Sequence, residues 1–312
     1  MSKEFQHIPV LLKETIEGLN IHENGIYVDG TLGGAGHSIE ILKKLNHTGT
    51  LIGIDRDEEA LQAAKKRLAD YENVIYVKGN HDEMDTILDH LQIDQVDGIL
   101  LDLGISSYQI DEKSRGFSYL GEAKLDMRMD QTQALSARDV VNDYTEEQLI
   151  DILHRYGEEK FAKSIARHIC AYRKQQPIET TKELVDIIER SVPAYVRNKE
   201  GHPAKKTFQA IRIAVNNELD PLYQTIISCI HHLKSGGRLC VITFHSLEDR
   251  MVKQAYQNCL GKCTCPSDLP YCVCHKEKLG NLVNRKPIIP SQEELNQNIR
   301  SKSAKLRIFE KI

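Results

Sequence analysis

Residues 27–37 read Tyr-Val-Asp-Gly-Thr-Leu-Gly-Gly-Ala-Gly-His, and soon afterwards the chain reads Leu51-Ile-Gly-Ile-Asp55. Glycines at such a turn let the backbone approach a ligand that a Cβ would hold off. Asp55, closing the second segment, is placed to accept from two ribose hydroxyls, and the helix opened by the turn offers unpaired N–H groups. This is the chemistry of a nucleoside-cofactor site. The glycines at 30, 33, 34 and 36 miss the G-x-G-x-x-G spacing of the dinucleotide fingerprint. Asp29 and His37 also put polar groups where a pyrophosphate needs bare amides. An acid beside the loop suits a cationic ligand instead, such as the ammonium and sulfonium of S-adenosylmethionine. A glycine-rich turn without a ligand is the plainer alternative.

A second set of reactive groups follows in Leu101-Asp-Leu-Gly-Ile-Ser-Ser-Tyr-Gln109. Val96 to Leu103 is apolar on both faces, as a buried parallel strand is. In open α/β sheets ligands sit beyond the carboxyl ends of the strands. Asp102, Ser106, Ser107 and Gln109 are therefore expected in the same crevice as the loop and Asp55. A buried carboxyl without a purpose is costly, which singles out Asp102; the two serines read equally well as a simple turn.

These groups need a scaffold that holds them. Strands are expected at Ile26–Val28, Leu51–Asp55, Val74–Val77 and Val96–Leu103. Helices lie between them, one with Ile39, Leu42 and Leu45 on one face and one with Ala60, Leu61, Ala64 and Leu68. From about Asp111 to Asn216 the pattern turns helical and charged (146–153, 158–172 and 181–191), punctuated by Pro177, Pro193 and Pro203. Leu219–Leu233 then reads as one amphipathic helix, Lys234-Ser-Gly-Gly as a stop and Arg238–Phe244 as a strand. Lys305–Ile312 reads as an edge strand with lysines at its margin. The economical organisation is a Rossmann-like α/β sheet, 1–110 and 217–312, interrupted by a helical insertion, 111–216.

The chain of 312 residues, with a net charge of −4, carries no global basic field, so nucleic-acid binding has to use local patches. No stretch approaches the roughly 20 apolar residues of a membrane span, and Met-Ser-Lys-Glu-Phe-Gln lacks a signal-peptide core. A cytoplasmic protein with reduced cysteines is expected. Cys263, Cys265, Cys272 and Cys274 fall within twelve residues and admit either a structural zinc or a plain thiol cluster, the C-x-C spacing being tighter than the usual C-x₂-C. The cysteines at 170, 229, 240 and 259 read as core or helix residues. No catalytic metal is expected.

Taken together, several blocks resemble the MraW/RsmH family of bacterial small-subunit rRNA cytidine N4-methyltransferases. They are Asp29-Gly-Thr-Leu-Gly-Gly-Ala-Gly-His-Ser, Leu100-Leu-Asp-Leu-Gly-Ile-Ser-Ser, Arg115-Gly-Phe-Ser, Leu125-Asp-Met-Arg-Met-Asp, Tyr156-Gly-Glu-Glu-Lys-Phe-Ala, His202-Pro-Ala-Lys-Lys-Thr-Phe-Gln-Ala-Ile-Arg-Ile-Ala-Val-Asn and Thr243-Phe-His-Ser-Leu-Glu-Asp-Arg. The resemblance runs from about His7 to Arg307. It implies a class I S-adenosylmethionine-dependent methyltransferase sheet, methyl transfer to the exocyclic N4 of a cytidine, and 16S rRNA or the small ribosomal subunit as partner. It implies cofactor contacts at Gly34, Ala35, Gly36, His37, Asp55, His81, Asp102 and Gln109. His81 stands where an aromatic residue is the usual occupant.

The catalytic candidates are Asp102, Ser106 and Ser107. Many amino-methyltransferases use an Asp/Asn/Ser-Pro-Pro-aromatic tetrapeptide there; this chain has Asp102-Leu-Gly-Ile, so that mechanism does not transfer atom by atom. For the RNA, Lys205, Lys206, Phe208 and Arg212 cluster on one segment, Phe208 and Arg212 sharing a helix face. Arg197 and Lys199 lie just before. Phe208 as core and the lysines as a solvated helix start is the plainer reading. Phe244-His245-Ser246 also stands to line the pocket, although Ser246 with Asp249 is equally a capping box.

Two rival functions remain open on residues alone. Tyr156-x-x-x-Lys160 and Tyr195-x-x-x-Lys199 match the pair of a nicotinamide oxidoreductase by spacing, but neither has a serine thirteen residues upstream. A non-enzymatic cofactor- or RNA-binding protein is the other, and the presence of Asp102 and Gln109 argues against it.

Overall fold

The computed structural model describes residues 9–197, 201–262, 265 and 276–312. The chain divides into two compact units, 1–104 with 219–312, and 105–218. The sequence reading put these boundaries at 110/111 and 216/217, so Ser106, Ser107 and Gln109 fall in the second unit.

In chain order the elements begin α1 (Leu12–Gly18), β1 (Ile26–Asp29), α2 (Gly36–Leu42), β2 (Thr50–Asp55), α3 (Glu58–Arg67), β3 (Val74–Lys78), α4 (Met84–His90) and β4 (Val96–Asp102). The second unit contributes α5 (Ser107–Asp111), α6 (Ala137–Asp143), α7 (Glu146–Arg155), α8 (Ala162–Arg173), α9 (Thr181–Ser191), α10 (Ala194–Arg197) and α11 (Lys205–Asn216). The first unit resumes with α12 (Leu222–His231), β5 (Leu233–Thr243), α13 (Ser246–Cys259), β6 (Gly280–Leu282), α14 (Gln292–Gln297) and β7 (Lys305–Lys311).

The seven strands form one sheet in the order β3-β2-β1-β4-β5-β7-β6. Neighbours from β3 through β5 run parallel, whereas β7 is antiparallel to both β5 and β6. Ile52, Ile54, Ile99, Leu100, Leu101, Val241 and Ile242 are fully buried, each such side chain contributing about 1.5–3 kcal/mol of transfer free energy. Strand order reverses between β1 and β4, and that reversal opens a crevice at their carboxyl ends. Asp29, Asp55 and Asp102 are the last residues of β1, β2 and β4.

Several expectations shift. The Lys234-Ser-Gly-Gly segment is not a stop ahead of the strand but an irregularity inside β5: Val96 pairs with Leu233, Gly98 already pairs with Arg238, and Gly236 has φ +79°. The preceding helix starts at Leu222 rather than Leu219, with Pro221 at its N-cap. Lys305–Lys311 is not an edge, because β6 covers its far side. Leu306 and Ile308 on one face and Phe309 on the other are buried, which outweighs the edge signal of its lysines.

The second unit is helical. Reciprocal capping boxes start four of its described helices, Ser106 with Gln109, Ser136 with Asp139, Thr145 with Gln148 and Thr180 with Glu183. The helix expected from residue 158 starts at Ala162, because Glu158 takes φ +47° and breaks the helical path.

Candidate functional site

The loop between β1 and α2 is held from both sides. Gly30 N–H donates to Leu100 O at 2.9 Å, and Leu32 N–H donates to Ile54 O at 2.9 Å. Gly33 takes φ +48° and Ala35 φ +57°, left-handed conformations that the glycine adopts freely and the alanine under strain. The Gly33 N–H donates to Asp55 Oδ2 at 2.7 Å, while Asp55 Oδ1 accepts from Asp57 N–H at 2.9 Å. Asp55 therefore clamps the strained corner of the loop, a role beyond the one expected of it. Two oxygens with about four lone-pair sites keep room for further donors. Burial is the main reason its carboxyl sits above the usual range, with the Asp57 and Gly33 amides pulling the other way.

The two loop glycines answer to different constraints. A Cβ on Gly36 would lie 2.3 Å from Pro9 Cγ, so packing dictates that glycine. A Cβ on Gly34 would meet only the Arg67 guanidinium, at 3.9 Å. Gly34 thus presents open backbone, and Arg67 Nη1 fixes its carbonyl at 2.6 Å.

The carboxylates divide by environment. Asp29, expected to face a cationic ligand, is 2 % exposed and turns inward. It accepts from Ser38 Oγ at 2.6 Å and Thr31 N–H at 3.2 Å, and burial lifts its pKa to about 6. Its work is to tie β1, loop and α2 together, and the ligand-facing role is not its own. Asp102 differs. Its N–H donates to Thr31 Oγ1 at 2.7 Å, but its buried Oδ1 has no hydrogen-bond partner among the described residues. The side chain keeps 27 % of its surface, none of it on Oδ1. Burial first, then the charges of Asp29 and Glu248, lift its pKa to about 8.

His37 lies beside it, 5 % exposed, with Nε2 3.0 Å from Val10 O and Nδ1 3.7 Å from Asp102 Oδ2. A carbonyl can only accept, so Nε2 carries a proton there, and Nδ1 is the ring nitrogen on the Asp102 side. His81, in the turn after β3, is 6 % exposed, and burial lowers its pKa to about 3. It is a neutral ring whose Nδ1 has no partner among the described residues.

Sequence reasoning missed Glu248. It is 2 % exposed, and its Oε2 accepts from the Phe244 and His245 N–H groups at 2.7 and 3.2 Å. His245 caps α13 by accepting from Glu248 N–H, and its Nε2 lies 3.0 Å from Glu248 Oε1 without hydrogen-bond geometry. The capping box is therefore His245 with Glu248, three residues apart, rather than Ser246 with Asp249. Asp249 instead holds Lys305 at 3.0 Å and Arg307 at 2.7 Å. The spacing His245-x-x-Glu248 was the available signal, obscured because histidine is an uncommon cap.

In the second unit, Ser106 and Gln109 form a reciprocal capping box at α5, with bonds of 3.1 and 3.2 Å; the side chain of Ser107 lies outside the described part of the structure. Phe208 is 3 % exposed and meets Tyr119 edge-on at 5.9 Å. Arg212 pairs with Glu218 through two bonds of 2.8 Å. Phe208 is thus core, and Arg212 a buried ion pair instead of a stacking plane. Lys205 and Lys206 are exposed, Lys206 Nζ donating to Glu158 O at 2.9 Å. Arg197 is exposed, and Lys199 lies outside the described residues.

Of the four clustered cysteines only Cys265 is described; Cys263, Cys272 and Cys274 lie outside the described residues. No group of metal-holding side chains occurs among the described residues. Cys229, Cys240 and Cys259 are buried, and burial pushes the Cys229 thiol up to about 12. No described helix is long and apolar enough to cross a membrane.

A doubly wound sheet with a glycine loop after β1 and acids at the tips of β2 and β4 is the Rossmann-like sheet of a class I methyltransferase. The chain belongs to the MraW methylase family, whose model matches residues 4–312. It is 57 % identical over 310 residues to the ribosomal RNA small subunit methyltransferase H of Lachnospira eligens, covering 99 % of this chain and 98 % of that one. It is 59 % identical over 309 residues to the protein of the same name from Clostridium botulinum strain Kyoto, covering 99 % and 100 %. An rRNA methylase structure from Streptococcus thermophilus aligns at a TM-score of 0.40 and 12 % identity, covering 96 % of this chain and 93 % of that one. Family membership displaces the oxidoreductase reading of Tyr156–Lys160 and Tyr195–Lys199. Tyr156 is buried at the end of α7, and Tyr195 is 69 % exposed.

Proposed function

We propose that this protein transfers a methyl group from S-adenosylmethionine to the exocyclic N4 of a cytidine in 16S rRNA, in the cytoplasm. The observation that carries the reading is Asp102, a carboxyl at the β1/β4 reversal with one buried oxygen lacking a partner. The names of the relatives point to the same class of substrate.

The residues present fit such a ligand. Gly34 offers open backbone, Asp55 has lone pairs to spare beside the loop, His81 is a flat neutral ring and Asp102 has an unmatched acceptor. Gly34, Ala35, Gly36, His37, Asp55, His81 and Asp102 form the proposed cofactor set. Gln109, in the second unit, joins it on the family resemblance. Bound S-adenosylmethionine would supply an electrophilic methyl on a sulfonium.

The cytosine amino nitrogen is a weak nucleophile because its lone pair is delocalised into the ring. It has to be aligned with the methyl at about 3–3.5 Å, and its protons need an acceptor as positive charge develops. An Asp102 carboxyl that titrates near 8 is poised for that acceptance close to neutral pH. His37 Nδ1 stands 3.7 Å from the carboxyl, beyond hydrogen-bond reach. Ser106 and Ser107 are proposed to assist the amino group. The second unit is proposed to recognise the RNA and present a base flipped out of its stack.

Calorimetry with S-adenosylmethionine and with NAD separates the cofactor classes. Transfer of labelled methyl from S-adenosylmethionine to 16S rRNA tests the reaction. Cofactor binding without transfer, to naked rRNA and to small subunits alike, would reduce the protein to a binding module.

A further inference from the structure

The α12–α13 face of the first unit carries a groove of about 540 Å³ outside the site described above. Its cations are Arg250, Lys253, Lys262 and Lys276, and no carboxylate lines it among the described residues. Lys253, Lys262 and Lys276 have no ion-pair partner among the described residues.

Not every other helix is balanced in sign, α8 carrying Lys163, Arg167 and Arg173 with no acid, but three of them are. α3 has Glu58 and Glu59 in its first turn and Lys65, Lys66 and Arg67 in its last. α7 pairs Arg155 with Asp151 at 3.3 Å, and α9 pairs Lys182 with Asp186. Such mixing is what a merely solvated face shows. On α13 the exposed residues at helical spacing are Arg250, Lys253, Gln254, Gln257 and Asn258, and the acid Glu248 is turned into the interior. The C-terminus of α13 brings about half a negative charge to this end, which Lys262 and Lys276 outweigh.

We infer that this face is a contact surface for the phosphate backbone of the substrate RNA, distinct from the lysines of α11. The inference rests on the proposed rRNA substrate. Three lysines without an ion-pair partner among the described residues suit phosphate oxygens. The amides of Gln254, Gln257 and Asn258 donate and accept, which suits phosphates and ribose 2′-hydroxyls together. Tyr223 adds an aromatic ring at the groove wall, a stacking surface for an unpaired base. In a chain of net charge −4, a surface of one sign marks a polyanionic partner.

The test replaces Lys253, Lys262 and Lys276 together with glutamine in the full chain. Binding to transcribed 16S rRNA is then followed across salt concentration. Three lost phosphate contacts should flatten the log–log salt dependence by roughly two to three units, weakening binding ten- to hundredfold near physiological salt. S-adenosylmethionine affinity and the melting temperature should match wild type, and methyl transfer should show a raised KM for RNA with kcat kept. An unaltered salt slope overturns the inference. An unaltered slope with lost sedimentation on phosphatidylserine vesicles would also overturn it, assigning the face to a lipid surface. Wild-type protein that neither binds nor methylates 16S rRNA overturns the proposed function and this inference with it, a failure visible before any variant is made.

Discussion

Replacing Asp102 with asparagine should make the protein more stable near neutral pH while removing most of its methyl transfer. In the fold, burial and the neighbouring Asp29 and Glu248 carboxylates raise the Asp102 pKa from 3.8 to about 8. Between those values the folded state holds a proton that the unfolded chain has released, so wild-type stability falls as pH rises from about 4 to about 8. At pH 7 the shift of some three units, at about 1.4 kcal/mol each, sets an upper bound of about 4 kcal/mol. With 27 % of the side chain exposed, solvent screening lowers this to roughly 2 kcal/mol. Asparagine keeps the shape and never ionises. The melting temperature of Asp102→Asn should therefore exceed that of wild type at pH 7–8 by roughly 4–8 °C, with the two converging toward pH 4. Scanning calorimetry from pH 4 to 9 with no cofactor added measures it, alongside labelled-methyl transfer. Wild-type activity should rise with pH up to the folded pKa, because the ionised carboxyl is the acceptor. A variant with the wild-type dependence of stability on pH, or with full transfer, would refute the role given to this carboxyl.

Asp55→Asn removes the charge and one of the acceptors now facing Gly33 and Asp57, bonds worth about 1.5–3 kcal/mol each. Calorimetry should show S-adenosylmethionine affinity falling tenfold or more, and an unchanged affinity would place the ribose elsewhere. Phe208→Ala should destabilise the helical unit by about 3–5 kcal/mol, read as lost hydrogen-exchange protection in 105–218. Full stability with weakened RNA binding would restore the stacking role that its burial denies it. Lys205→Ala with Lys206→Ala should lower the salt slope of RNA binding by about one to two units and leave cofactor affinity intact; the reverse pattern would remove α11 from the RNA interface.

The glycine loop, the strand-end acids and the alternation of strand and helix were legible because each is local: apolar runs of fixed length, turn residues and acids at strand tips. What escaped the sequence was set by distant partners. Asp29 and Asp102 look alike as strand-end acids, yet Ser38 and Thr31 satisfy the first, while the second keeps a buried Oδ1 with no partner among the described residues. Phe208 and Arg212 do share a helix, but Tyr119 and Glu218 decide that they pack and pair internally. The last strand was read as an edge because β6, only three residues long, carries too little pattern to announce the neighbour that covers it. Asp55 as a clamp on Gly33 follows from a turn geometry that spacing alone does not encode.

The most direct test of the central claim is mass spectrometry of nucleosides from 16S rRNA of a strain lacking this protein, before and after incubation with the purified enzyme and S-adenosylmethionine. A cytidine derivative methylated on the exocyclic N4 should be absent beforehand and appear with wild-type protein, with far less formed by Asp102→Asn. Methylation on another atom, such as C5 or a ribose 2′-hydroxyl, or none on naked rRNA and assembled subunits alike, would contradict an amino-directed reaction at Asp102.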